Sequence, residues 1–226
     1  MNILLVTATE AEVAPVVTKL RRQPVLGPRL TSYQHRNHDI DVLTTGVGMV
    51  ATAVWCARAL ASRPYDLAIN AGLCGTFDRA IPLSTVVHVT TDLMPELGAE
   101  DGEAFLSLRD LKLLGENELP FAAGALVNAT PPDNAALRGL PSVVGATVNT
   151  VHGRDESIAR LLHRCAPQVE SMEGAAFMYA CLVQGLPFAQ IRAVSNIVER
   201  RNRQAWKIPE AIAALGASVM EIIATL

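Results

Sequence analysis

Four acid or amide side chains in this 226-residue sequence stand where apolar runs end: Glu10 and Glu12 in TATEAEV (7–13), Glu173 in ESMEGAA (170–176) and Asn196 in RAVSN (192–196). A carboxylate in such a position can take a proton from water as a general base. It can also accept two hydrogen bonds from a vicinal diol such as the 2′ and 3′ hydroxyls of ribose. Each has a structural reading as well. Thr9 and Glu12 fit a T-x-x-E capping box, and acids in a first helical turn are stabilised by the helix dipole. Glu173 precedes a run of small and apolar residues that it could cap. Asn196, beside Ser195, puts a carboxamide where an acid would be expected, and Arg200, Arg201, Arg203 and Trp206 follow it. The arginines suit a solvated face or an anionic partner; Trp206 suits a lid over a ring or a helix start packed in the core. TGVG (45–48) has the glycines of a backbone cradle for an anion or ribose, or of a tight strand-to-helix turn. It is neither a P-loop nor a dinucleotide fingerprint.

Short β-branched runs carry these residues. Strands are expected over 2–9, 39–46, 67–75, 84–92, 124–130, 145–151 and 188–196. Between them, Val50, Ala53, Val54, Ala57, Leu60 and Ala61 recur at helical spacing, and 173–185 reads as a second helix. The C-terminal IPEAIAALGASVMEIIATL is interrupted by Glu210 and Glu221, which predicts a packed helix and not a membrane span. The alternation predicts an α/β fold in one domain over residues 1–226: a central mixed sheet flanked by helices, with the ligand site at the carboxyl ends of strands. Residues 94–120 and TPPDNAALRGLP are expected to leave the sheet as a lid or subunit contact.

Half the residues are apolar and 18% are charged, with a formal net charge of -3 and no Lys/Arg run. That balance predicts a small-molecule ligand, with no nucleic acid and no membrane as partner. Cys56, Cys74, Cys165 and Cys181 lie far apart, as free thiols in a reducing cytoplasm would, and no metal or cofactor is expected. His35 and His38 read as a solvated turn. MNILLV lacks the basic region of a signal peptide.

The order and spacing of these motifs resemble the nucleoside phosphorylase and nucleosidase family over nearly the whole chain, especially its methylthioadenosine/S-adenosylhomocysteine nucleosidase branch. TATEAEV stands for that branch's Met-Glu-Glu-Glu-Val run, TGVGMVATA for Gly-x-Gly-Lys, and INAGLCG (69–75) for Asn-Thr-Gly-x-Ala-Gly. SMEGAA stands for Val-Glu-Met-Glu-x-x-Ala and IRAVSN for Arg-x-x-Ser-Asp. The resemblance implies that Glu12 activates water, that Met172 and Glu173 hold the ribose, and that Asn196 meets the purine. Gly72, Leu73, Ser195, Arg201 and Trp206 complete the implied substrate contacts. The phosphorylases' phosphate-binding arginine loop is missing, which implies water as the nucleophile.

Two departures from the family pattern bear on substrate. Leu73 replaces a serine, removing a polar contact. Asn196 replaces an aspartate, and an amide can donate to the O6 of a 6-oxopurine where a carboxylate would be repelled. The tail SNIVERRNRQAWKIPEAI is similar to the futalosine hydrolase branch, whose substrate carries hypoxanthine and an aromatic carboxylate that the arginines could meet. A methylthioadenosine/S-adenosylhomocysteine nucleosidase tolerating Asn196, a 6-oxopurine nucleoside phosphorylase, and a purine-nucleoside binding protein without chemistry are the alternatives. NTVHGRDES (149–157) matches the family poorly and is assigned no contact. The resemblance also implies a homodimer whose neighbouring copy helps complete the pocket.

Overall fold

The computed structural model describes residues 1–27 and 29–226, with the backbone alone for 24–26. The chain opens with β1 (Asn2–Thr7), α1 (Glu10–Val17), β2 (Arg21–Gly27), β3 (Leu30–His35), β4 (His38–Thr44) and α2 (Met49–Ser62). Next come β5 (Leu67–Thr76), β6 (Val86–Leu93), β7 (Gly98–Asp101), β8 (Ala104–Ser107), β9 (Phe121–Ala122) and β10 (Ala125–Val127). The last part is α3 (Ala135–Arg138), β11 (Ser142–Thr147), α4 (Asp155–Cys165), β12 (Val169–Ser171), α5 (Gly174–Gln184), β13 (Phe188–Ile197) and α6 (Ile208–Ala224).

An eleven-stranded mixed sheet organises these elements. β1 lies between β4 and β5, parallel to both. Its side chains alternate between two cores: Ile3 and Leu5 pack with α1 and α6, Leu4 and Val6 with α2 and α5. Because both faces are covered, β1 is a continuous apolar run. α1 and α6 approach closely, and a Cβ on Gly216 would lie 2.6 Å from Pro15 Cβ. β5 is the hub of the sheet: it runs parallel to β1 and β13 and antiparallel to β12. β13 also pairs with β6, β6 with β11, and β11 with β12. Those pairings close a ring of five strands, and Gly72–Gly75 of β5 lie on it.

All seven expected strands are present, with shifted ends. The strand expected at 124–130 is only β10, because Asn128 turns inward and donates to the Phe188 carbonyl at 2.7 Å. β2, β3, β12 and α4 carry no pattern that predicts them. β2 and β3 form an edge hairpin with β4 and lack a clean alternation; β12 has three residues; α4 is rich in charge and buries only Leu161. Residues 94–120 leave the main sheet as expected, with β7 and β8 forming a ribbon of their own. His35 and His38 flank a two-residue turn in which Arg36 has φ 52°.

Candidate active site

A cavity of about 370 Å³ opens where the first turn of α1, the second half of β5, the end of β12 and the end of β13 converge. It gathers Glu12, Leu73, Met172, Glu173, Ser195, Asn196, Arg201 and Trp206, residues spread over 195 positions of sequence. Gly72 lies behind its wall.

Glu12 divides its contacts between its two oxygens, one capping α1 and the other at the cavity wall. Oε2 caps α1, accepting from the Thr9 amide and hydroxyl at 2.9 Å each and from the Thr7 hydroxyl at 3.2 Å. Oε1 accepts one protein hydrogen bond among the described residues, from the Leu73 amide at 3.1 Å. Its remaining lone pairs are available at the cavity wall. The main chain of Leu73, not a side-chain hydroxyl, supplies the polar contact to this acid, so the loss of serine there leaves the carboxylate held.

The glycine turn also resolves. Gly46 and Gly48 have φ of 88° and 98°, in the left-handed region that favours glycine. The Gly48 amide, at the N-terminus of α2, donates to Glu173 Oε1 at 3.0 Å. The anion in this cradle is therefore the protein's own carboxylate, stabilised at a helix N-terminus as an external anion would be. Glu173 is almost fully buried, and its Oε2 lies 3.8 Å from Arg192 Nη1.

Asn196 is the next-to-last residue of β13, beside Gly75 of β5, where a Cβ would lie 3.1 Å from Asn196 Nδ2. The Ser195 hydroxyl lies 2.9 Å from Asn196 Oδ1, and Asn196 Nδ2 donates to the Ile197 carbonyl at 3.0 Å. Among the described residues the second amide N–H has no partner. The neighbouring Cys74 thiol is pushed up to about 12 by burial and stands in the wall as a neutral group. Of the three arginines, only Arg201 lines the cavity; its guanidinium lies 5.0 Å from the centre of the Trp206 ring. Val151, His152 and Arg201 also line a second cavity of about 980 Å³, whose walls include Glu96, Glu100, Arg154, Arg160 and Arg164.

Two groups escaped the sequence reading, one behind the wall and one in it. Arg192 is fully buried in the apolar β13, where it donates to Gln190 Oε1 at 3.1 Å and to Asn70 Oδ1. Gln190 in turn donates to Asp92 at 2.9 Å, and Asp92 accepts from Thr147 at 2.9 Å. Burial pushes the Asp92 carboxyl up to about 6, against the pull of Gln190, Thr147 and Arg192. Gly72 makes this network possible, because a Cβ there would collide with Arg192 Nη1 and lie 3.2 Å from Glu12 Oε1. The second group is His152 with Glu170: Nδ1 lies 2.7 Å from Oε2, and the His152 amide donates to Oε1 at 2.9 Å. A charged residue inside an apolar strand was the available signal for Arg192; none marked His152.

Residues 2–224 match the family model of the phosphorylase superfamily. Futalosine hydrolase of Streptomyces coelicolor is 33% identical over 237 residues, covering 100% of this chain and 97% of the relative. The Thermus thermophilus futalosine hydrolase is 33% identical over 186 residues, 80% of each chain. The chain belongs to the phosphorylase superfamily, in its futalosine hydrolase family. Among solved structures, the fold is shared with the 5′-methylthioadenosine/S-adenosylhomocysteine nucleosidase of Helicobacter pylori bound to butyl-thio-DADMe-Immucillin-A. That structure has a TM-score of 0.80 at 14% identity and matches over 100% of this chain and 99% of its own.

In this member of the futalosine hydrolase family, three separate supports hold the cavity's polar groups. A helix cap fixes Glu12, a glycine turn fixes Glu173, and a serine with a main-chain carbonyl fixes Asn196. Such supports preorganise a site by locking rotamers before substrate arrives. Among the described residues no three His, Cys, Asp or Glu side chains come together as a metal site requires, and no helix is long and apolar enough to cross a membrane.

Proposed function

We propose that this protein hydrolyses the N-glycosidic bond of futalosine, releasing hypoxanthine and dehypoxanthine futalosine, as one step of a route to menaquinone. The observation that carries this reading is the cavity's set of three: an acid with one oxygen turned to the wall, a buried acid in a main-chain cradle, and an amide with an unused N–H. Full-length similarity to futalosine hydrolases supports the choice of substrate.

Glu12 Oε1 orients a water and takes its proton as the oxygen reaches C1′. The bond to the base breaks through an oxocarbenium-like state, a charge distribution that the nearby Glu12 and Glu173 carboxylates favour. Glu173 accepts from the ribose hydroxyls, with Met172 as the apolar surface beneath the sugar. The free Asn196 N–H donates to the 6-oxopurine edge; a 6-aminopurine presents a donor at that position and leaves the amide unpaired. The aromatic carboxylate at C5′ extends past Arg201 and Trp206 toward the larger cavity, whose arginines offer cationic partners.

The molecule acts as one folding unit of 226 residues in the cytoplasm and as a homodimer. The exposed Val50, Val54, Tyr179 and Val183 of α2 and α5 form an apolar face around a groove of about 420 Å³, which supports a second copy as its cover. A sedimenting mass of 24.1 kDa, that of one chain, would remove the dimer from this account. The function is tested by a panel of futalosine, methylthioadenosine and inosine, each with and without phosphate. Preference for inosine with strict phosphate dependence would make the protein a phosphorylase instead.

A further inference from the structure

The mechanism above lacks an acid for the departing base, since an amide has no proton to give. We infer that His152, held by Glu170, is that acid: its Nε2–H protonates the purine as the glycosidic bond breaks. This rests on the hydrolase reading just given.

The geometry comes from the sheet register. Gly75 on β5 is paired with Glu170 of β12 on one side and with Asn196 of β13 on the other. Residues directly opposite in adjacent strands share a face of the sheet, so Glu170, Gly75 and Asn196 form one row. At about 4.8 Å between neighbouring strands, the two outer members stand about 10 Å apart. The middle member has no side chain, and a Cβ there would lie 2.7 Å from Val198 Cγ2 and 3.1 Å from Asn196 Nδ2. The row therefore carries an amide at one end and, rising from Glu170 at the other, the imidazole of His152, with Val198 and Asn196 closing over Gly75 between them.

The imidazole is fixed twice to the same carboxylate, through Nδ1 at 2.7 Å and through its own main-chain amide at 2.9 Å. Phe77 packs edge-on against the ring at 6.4 Å between centres. Glu170 is buried and accepts at both oxygens, which sets Nδ1 as the donor to it and leaves Nε2 as the ring nitrogen turned away from that carboxylate. Nε2 has no protein partner among the described residues and is not enclosed, and the residue lines the cavity. A leaving 6-oxopurine has acceptors at N3, N7 and O6, while Asn196 supplies a single free N–H. A second donor is needed, and among the described residues His152 is the only histidine lining the cavity.

In the step, the C1′–N9 bond breaks with its electron pair going to the purine. The imidazolium passes its Nε2 proton to a ring nitrogen that Asn196 does not meet, and becomes neutral. Water adds its oxygen to C1′ and loses its proton to Glu12. A proton then returns from Glu12 to the imidazole through solvent, restoring both groups.

The test compares two leaving groups in His152→Gln. Hypoxanthine release from futalosine should fall by about 10²–10⁴ in kcat, the usual worth of a positioned acid. Hydrolysis of p-nitrophenyl β-D-ribofuranoside, whose phenolate leaves without a proton, should stay within about threefold of wild type. Glu170→Gln, which keeps an acceptor for the ring but loses the charge, should reproduce the same selectivity with a smaller loss, marking Glu170 as a positioning residue. It also serves as the test if His152→Gln does not fold. Equal losses on both substrates, or no loss on either, in a folded variant would overturn the assignment. Failure of the wild-type enzyme to release hypoxanthine from futalosine would overturn the functional reading as well, and is seen before any variant is made.

Discussion

Replacing Glu12 with glutamine separates the two tasks of its side chain. The carboxylate receives four hydrogen bonds, three at Oε2 and one at Oε1. An amide must put its NH2 at one of these sites. At Oε2 it would face the fixed Thr9 N–H and undo the helix cap; at Oε1 it would face only the Leu73 N–H. The second orientation keeps the cap and leaves one main-chain donor unmet, at a cost of about 1–3 kcal/mol. For a chain of this length each kcal/mol lowers Tm by about 2–4 °C, so the variant should melt several degrees early yet remain folded at 25 °C. The orientation that spares the cap also puts an NH2 where the water would be deprotonated. Loss of a positioned base should lower kcat by about 10²–10⁴, or about 3–5 kcal/mol of transition-state stabilisation. Hypoxanthine release followed at 25 °C, alongside a thermal melt, measures both. A folded Glu12→Gln enzyme turning over within about tenfold of wild type would refute the base assignment and leave Glu12 as a cap alone.

Asn196→Asp puts a carboxylate against the Ile197 carbonyl and removes the free N–H, so turnover of a 6-oxopurine nucleoside should fall far more than that of its 6-amino analogue; equal losses would show that the amide does not select the base. Gly72→Ala drives a methyl group into Arg192 and toward Glu12, which should cost about 1–3 kcal/mol of stability and reduce kcat as well; unchanged values of both would contradict the close packing. Asp92 titrates near 6 in the folded protein against an ordinary 3.8, so its stabilising contribution is complete below about 4 and is lost as pH rises through about 6. Urea midpoints should accordingly show wild type losing ground to Asp92→Asn between those values, and a difference independent of pH would contradict it.

The sequence carried the fold wherever burial writes itself into periodicity, as in β1, α2, α5 and α6. It failed where an element is too short or too polar to do so: the three residues of β12 and the charged α4 leave no apolar pattern to read. The same limit explains the site. The acids at strand ends were visible, but a cap and a cavity-facing carboxylate looked like alternatives for Glu12 because spacing cannot distinguish one oxygen from the other. TGVG was legible as an anion cradle, though not that its anion lies 125 residues away. Arg192 stood in plain view in IRAVSN, yet its partner Asn70 lies 122 residues back. His152 depends on Glu170, and their meeting follows from how β11 and β12 pair, which no local pattern encodes.

The central claim is that this cavity hydrolyses the glycosidic bond of a 6-oxopurine nucleoside with an extended C5′ group. Incubating the purified protein with futalosine in phosphate-free buffer and following the free base tests it most directly. The account predicts hypoxanthine released in step with dehypoxanthine futalosine, at a rate unchanged by added phosphate. Strict dependence on phosphate, or inert futalosine while methylthioadenosine yields adenine, would contradict it.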